Sequence, residues 1–191
     1  MKRPFKVGVA GTHSTGKTTL VKALRNRLVD MGLEVGHVDD LARRALDRGF
    51  PILREHTFES TLWIMAECMR QEAEQSLSCK VILVDRPVLD ALGYLYAALS
   101  VTDREIDQRR RKALESIARA HTADYDVLVL TTLDTSIPLG PGRDDDPVFR
   151  EAASDAVAKL IDDARPDALR MTSGNTAETI ETILSRLEAH I

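Results

Sequence analysis

The sequence has little of what marks an exported, zinc-stapled or nucleic-acid-coating protein. It holds 2 cysteines, Cys68 and Cys79, in 191 residues. That is too few for a disulfide framework, and no zinc-type Cys/His spacing surrounds them. Free thiols in a reducing compartment follow, so the expected address is the cytoplasm. No apolar run approaches the ~20 residues that span a bilayer. Met1-Lys2-Arg3-Pro4-Phe5 leads into a short apolar run rather than a signal-peptide core. Excess positive charge is missing too. With 26 basic residues against 30 acidic ones the net charge is −4, and any bound anion must be held locally. Arg109-Arg110-Arg111-Lys112 is flanked by Glu105, Asp107 and Glu115, as on a solvated helix face, so nucleic acid is not an expected partner. Aromatics make up 4% of the chain. Phe58, Trp63, Tyr94 and Tyr96 can stack on a flat ring, with core packing the competing use for each. Internal repeats and low-complexity tracts are absent.

What is present is a 43% hydrophobic composition at a length that suits one domain over residues 1–191. Short apolar runs alternate with longer helical patterns, which reads as α/β. Phe5 to Ala10, Val35 to Val38, Val81 to Val84, Val127 to Thr131 and Ala168 to Met171 have the character of strands covered on both faces of a five-stranded parallel sheet. Leu20, Leu24, Leu28 and Met31 recur at helical spacing, with Gly32 placed to end that helix. Phe58, Leu62, Met65 and Met69 mark a second helix, and Ile106, Leu114, Ile117 and Ala118 give a charged segment one apolar side. Ile180, Ile183, Leu184 and Leu187 form the cleanest stripe, with Asn175 and Glu178 spaced as a capping pair. Between these, Pro138-Leu139-Gly140-Pro141-Gly142 forbids regular structure. A short lid over residues 138–150 is expected there. Asp146 and Pro147 then open a helix that stops before Pro166.

Directly after the first strand stands Gly11-Thr12-His13-Ser14-Thr15-Gly16-Lys17-Thr18, a G-x-x-x-x-G-K-[ST] phosphate-binding loop. A triphosphate is strongly hydrated, so its site must replace water with many fixed donors, which backbone amides supply. Gly11 and Gly16 allow the sharp turn, and the following helix offers unpaired amides and a positive dipole end. Gly11, Ser14, Thr15, Gly16, Lys17, Thr18 and Thr19 are the expected nucleotide contacts. Lys17, expected to be exposed until phosphate arrives, reaches the β and γ phosphates, and the Thr18 hydroxyl ligates Mg²⁺. His13 is a variable loop position with no assigned role. A glycine turn merely joining strand to helix is the alternative, and the agreement of pattern with context weighs against it.

Switches, motors and small kinases share this loop. No lysine is followed two residues later by aspartate, so the N-K-x-D base reader of GTP-binding switches is missing. A ring-forming ATPase needs a further helical domain for which there is little room. Val81-Ile82-Leu83-Val84-Asp85-Arg86-Pro87 delivers an acid and a base to a strand's C-terminal end, where open α/β sheets bind ligands. Asp85 can hold the magnesium shell, and Arg86 can neutralise an acceptor group or the moving phosphoryl. Hydrogen bonding at the strand exit is the structural alternative for both.

Taken together, Gly11 to Thr18, Val38-Asp39-Asp40-Leu41-Ala42-Arg43, Asp85-Arg86 with Leu89-Asp90 and Tyr94, and the Arg143 loop resemble the compact P-loop small-molecule kinases of the AAA-type ATP-binding family. These are similar to the nicotinamide-riboside kinase domain and related to deoxynucleoside and thymidylate kinases. The resemblance runs from Phe5 to about Leu187. It implies a P-loop NTPase three-layer fold, ATP and Mg²⁺ as cofactors, and transfer of a phosphoryl group to a nucleoside-like or nicotinamide-riboside-like hydroxyl. It also places Asp40, with Asp39 beside it, opposite that hydroxyl, one methylene shorter than the Glu the pattern favours. Helix capping is the alternative use of both acids. Arg43 would approach substrate or phosphate, or simply lie on an exposed helix face. Arg143 and Arg150 would close over the transferred phosphoryl. The implied catalytic set is Lys17, Asp40, Asp85, Arg86 and Arg143, with Thr18 and Asp85 at the metal and Arg150 at the nucleotide. The partners implied are a nucleotide and a small acceptor, with no membrane; a homo-oligomer is left open. A regulatory ATPase or switch module acting on a protein partner is the rival reading from another class.

Overall fold

A computed structural model describes residues 3–12, 15–132 and 146–190. Five parallel strands, β1 (Phe5–Ala10), β2 (Val35–Val38), β3 (Val81–Asp85), β4 (Val127–Thr131) and β5 (Leu169–Met171), lie in the order β2-β3-β1-β4-β5. The strand expectations hold with one-residue differences at two ends, where β3 runs on to Asp85 and β5 starts at Leu169. The α/β three-layer arrangement follows from strands that must bury both faces. Val7, Val9, Leu83 and Val129 join Leu20, Leu24, Ile183 and Leu187 in a core on one face. Ala10, Ile82, Val84, Leu128 and Leu130 join a second, larger core on the other. The alternation is the period of two of a pleated strand.

β1 sits centrally, paired with β3 and with β4. Connections leave β1 towards β2 and return past it towards β4, which makes its C-terminal end the crevice where such sheets bind ligands. Parallel register sets Asp85 opposite Val9, so the acid stands one strand over from the phosphate-binding turn.

The helices are α1 (Lys17–Asp30), α2 (Leu41–Asp47), α3 (Phe58–Gln75), α4 (Val88–Thr102), α5 (Gln108–Thr122), α6 (Pro147–Ala164) and α7 (Thr176–His190), with a 3₁₀ turn at Leu53–Glu55. Gly32, at φ 76°, follows the end of α1 as expected. Asp146 caps α6, accepting from Phe149 N at 3.0 Å, and Pro147 takes its first position. Asn175 turns its side chain back, accepting from Thr172 N at 2.7 Å and donating to Arg170 O at 3.0 Å.

Two helices carry no amphipathic signature. α2 is 7 residues long. α4 is buried on every side, through Leu89, Leu92, Tyr94, Leu95, Ala97 and Ala98, so it lacks a stripe to read. Gly93 lets α6 press close to α4. A Cβ there would lie 2.5 Å from Val157 Cγ2 and 3.1 Å from the Val157 backbone. Among the described residues no helix is long and apolar enough to cross a membrane. The expected lid, apart from its end at Asp146 to Arg150, lies outside the described residues.

Candidate functional site

The turn after β1 is built on backbone conformations that only glycine tolerates. Gly11 has φ 126°, and a Cβ on it would collide with the Thr131 hydroxyl and lie 2.9 Å from the Thr131 carbonyl. Gly16, at φ 86°, immediately precedes Lys17 at the start of α1. Thr15 Oγ1 lies 2.9 Å from Thr12 O and 2.6 Å from Thr131 Oγ1, which lies 2.9 Å from Ala10 O, so the two hydroxyl protons serve two of these three contacts at a time. Contrary to the expectation of an exposed lysine, Lys17 is 6% exposed. Its Nζ donates to Thr12 O and, at 3.2 Å, to Thr15 Oγ1. The loop's own oxygens satisfy the ammonium until a better anion displaces them. Thr18 and Thr19 are exposed on the first turn of α1. His13, Ser14 and Arg143 lie outside the described residues.

Beside this turn, β3 ends in Asp85, whose Oδ1 is buried with no hydrogen-bond partner among the described residues. Arg86 follows at φ 74°, its amide donating to Val9 O at 3.1 Å. Its Nη1 donates to Tyr94 Oη at 2.6 Å and lies 4.0 Å from Asp90 Oδ2. Asp90, in the first turn of α4, is 2% exposed. Its Oδ2 accepts from Gly11 N at 3.2 Å, while its Oδ1 has no hydrogen-bond partner among the described residues. Burial pushes this carboxyl up, against the pull of Arg86, Lys17 and the Gly11 amide, to about 7. Sequence reading gives Asp90 a place in the resemblance but no role. The usable signal was an acid inside an otherwise apolar helix, where a buried charge needs a partner.

Asp90, Arg86 and Tyr94 also line a cavity of about 120 Å³, with Leu41, Leu53, His56 and Ile64 among its other walls. Among the described residues, four that are not glycine have positive φ: Asp40, Leu53, Arg86 and Asp103. Leu53 and Arg86 line this cavity and Asp40 immediately precedes its wall residue Leu41. Backbone strain of this kind collects at ligand sites.

The remaining expectations divide. Lys17, Asp85, Arg86 and Thr15 gather around β1 and β3, whereas Asp40 is exposed at the start of α2, with φ 58° and no side-chain cap bond. The capping alternative for Asp40 is therefore not met. Asp39 lies 3.4 Å from His37 Nδ1. Arg43 Nε donates to Asp47 at 2.9 Å, on an exposed face. Arg150 is buried on α6 near Tyr94, whose ionisation it influences. Phe149 meets Tyr94 edge-on at 5.8 Å. Trp63 stacks on Phe50 at 5.5 Å, while Phe58 lies under Arg110 and Tyr96 under Arg111. Among these four aromatics only Tyr94 lines the cavity.

No cluster of three or more His, Cys, Asp or Glu side chains suited to a metal occurs among the described residues. The Asp85 carboxylate and the Thr18 hydroxyl are oxygen donors of the kind a hard cation such as Mg²⁺ takes, and the unsatisfied Asp85 Oδ1 fits that use.

Residues 6–178 match the family model of the AAA domain, and no protein of curated function matches the sequence. Solved structures of the same fold include deoxyadenosine kinase from M. mycoides with bound dATP, at 14% identity and a TM-score of 0.66 over 96% of this chain and 100% of that one. Thymidylate kinase from Candida albicans superposes at 14% identity and 0.68, over 99% and 94%. NadR in complex with NR gives 14% and 0.73, over 97% of this chain and 52% of that one, so this chain spans about half of NadR.

Proposed function

The chain belongs to the AAA domain family, and from that premise we propose that it is a P-loop kinase that transfers the γ-phosphoryl group of ATP to a small-molecule hydroxyl. One observation carries the reading: Asp90 belongs to two sites at once. Its Oδ2 is bonded to the first amide of the phosphate-binding turn, and the same carboxylate lines the small cavity. A module that only bound and hydrolysed nucleotide would have no need of a second, ring-sized hollow sharing a carboxylate with its phosphate loop. The acceptor is nucleoside-like or nicotinamide-riboside-like, in keeping with what deoxyadenosine kinase is named for and what NadR binds.

In this reading the amides of Gly11 to Thr19 and the Lys17 ammonium hold the β and γ phosphates. Thr18 and Asp85 would hold Mg²⁺, which neutralises phosphate charge when bound. Arg86 is pre-positioned by Tyr94, faces the acceptor, and balances the charge that moves with the phosphoryl group. Asp90 Oδ1 receives the acceptor's hydroxyl proton, and a carboxyl near 7 is matched to that task. Asp40, exposed ahead of the cavity wall, is the second candidate for the proton. The chain works as one domain, in the cytoplasm.

The test is an acceptor screen with Mg-ATP that follows ADP release and phosphorylated product. Asp90→Asn is expected to lower kcat by about 10²-fold or more with a smaller change in ATP affinity, and Asp40→Asn by less than about tenfold. Equal activity of Asp90→Asn and the native chain would remove Asp90 from the mechanism. ADP release that no acceptor accelerates, together with ATP-dependent association with a protein, would favour the regulatory reading instead.

A further inference from the structure

The cavity beside Asp90 is small. At about 120 Å³ it is below the ~150 Å³ of an apolar cavity that takes one benzene, so it has room for no more than one six-membered ring and none for a fused bicycle. Leu41, Ile52, Leu53 and Ile64 make much of its wall apolar, and the Asp90 side abuts the phosphate-binding turn. His56 supplies a further polar wall.

His56 is 2% exposed, and its Nδ1 lies 3.1 Å from Leu53 O. A carbonyl oxygen can only accept, so the imidazole proton belongs on Nδ1 and Nε2 is left as an acceptor. Nε2 has no hydrogen-bond partner among the described residues. Burial, with Arg86 and Arg104 adding to it, lowers this imidazole to about 4, which keeps it neutral near pH 7. Arg104 Nη2 donates to the carbonyls of Arg54 at 2.8 Å and His56 at 3.1 Å, pinning the turn that carries the ring. Arg86 on the cavity wall and Arg104 behind His56 outnumber the one acid of that wall, Asp90, so a further cation beside this imidazole is disfavoured.

An acceptor on a cavity wall with no protein donor favours a ligand that supplies one over a ligand that does not. We infer that the cavity takes an uncharged single-ring group carrying an N–H or O–H donor, and that His56 Nε2 receives that donor. This deepens the kinase reading and rests on it: the acceptor is a monocyclic, neutral nucleoside-like alcohol.

The experiment measures phosphoryl transfer from Mg-ATP by the full chain to four probes. Uridine has one neutral ring with an N–H, N-methylated uridine has that donor blocked, nicotinamide riboside has one cationic ring, and adenosine has a fused ring. The expected kcat/KM for uridine exceeds the other three by at least about tenfold. His56→Phe removes the preference for uridine over its methylated form through KM, with kcat held within about twofold, and His56→Gln, which restores an acceptor, recovers part of it. Should His56→Phe fail to melt cooperatively, the two uridines on the native chain decide the matter. Equal use of both uridines, or preference for adenosine or nicotinamide riboside, overturns this inference and leaves the kinase reading standing. A chain that binds Mg-ATP yet phosphorylates no hydroxyl compound overturns both.

Discussion

Two buried groups of opposite character meet in the small cavity, and their ionisation makes a prediction about stability. His56 titrates near 6.5 when unfolded and about 4 when folded. Acidification through that window therefore protonates the unfolded chain first, and stability falls as pH falls. Asp90 runs the other way. Folded, it keeps its proton up to about 7, whereas unfolded it loses it near 3.8, so its contribution falls as pH rises between those values. The two offset in the native chain. Asp90→Asn should uncover the histidine and make stability drop as pH falls from 6.5 towards 4, and His56→Phe should give the reverse slope. Urea midpoints across that range check this, and one shared pH slope for all three proteins would contradict it. At the same scale, Lys17→Ala should abolish turnover while keeping a cooperative melt, because the ammonium is held by oxygens of the loop itself and its charge is needed for phosphate. Retained activity in that variant would show that the turn does not hold the transferred phosphate.

Among the elements, α4 brings most of the site together, since it carries Asp90 and Tyr94 and lies under α6 through Gly93. Gly93→Ala sets a methyl 3.1 Å from the Val157 backbone. The helices must separate, and a loss of about 1–3 kcal/mol is expected from the overpacking; an unchanged urea midpoint would mean the interface yields freely. Removing the α6 cap with Asp146→Ala should cost about 1 kcal/mol, and its effect should add to that of Gly93→Ala if the two sites act independently. These elements also mark how far the sequence could be read. The strands, α1, α6 and α7 are legible because their patterns and caps are local. α4 is not, because a helix buried all round has no polar face to set its period. For the same reason its one acid, Asp90, was legible only as a residue and not as the member that joins phosphate loop to cavity. The 3₁₀ turn bearing His56 depends on Arg104, which bonds Arg54 and His56 from about 50 positions along the chain, a separation no spacing rule reaches.

Across the whole molecule, ligand chemistry and structural fastening occupy opposite ends of the sheet. At the C-terminal end of β1 stand the turn, Asp85, Arg86 and Asp90. Near its start, fully buried Glu72 of α3 takes Lys6 Nζ at 3.0 Å, lies 3.0 Å from His121 Nε2, and accepts from Tyr125 Oη at 2.6 Å. Burial alone would raise this carboxyl; His121, Tyr125 and Lys6 outweigh it and hold it below its ordinary 4.5. Its contribution is thus present above about 4.5 and is lost as pH falls through the folded value. Glu72→Gln should destabilise the fold by ~3 kcal/mol, since it strands two bases in a largely buried place, while Mg-ATP affinity stays as in the native chain at temperatures where the variant is folded. A fall in affinity would mean the two ends are coupled. The central claim is that a phosphate loop and an acceptor cavity share one carboxylate, and its most direct test is ADP release by the pure full chain with Mg-ATP and a panel of hydroxyl compounds. The expected result is at least one compound that accelerates ADP release and is recovered phosphorylated in equal amount; ADP formed only at the rate in water, with inorganic phosphate as the sole other product, would contradict the account.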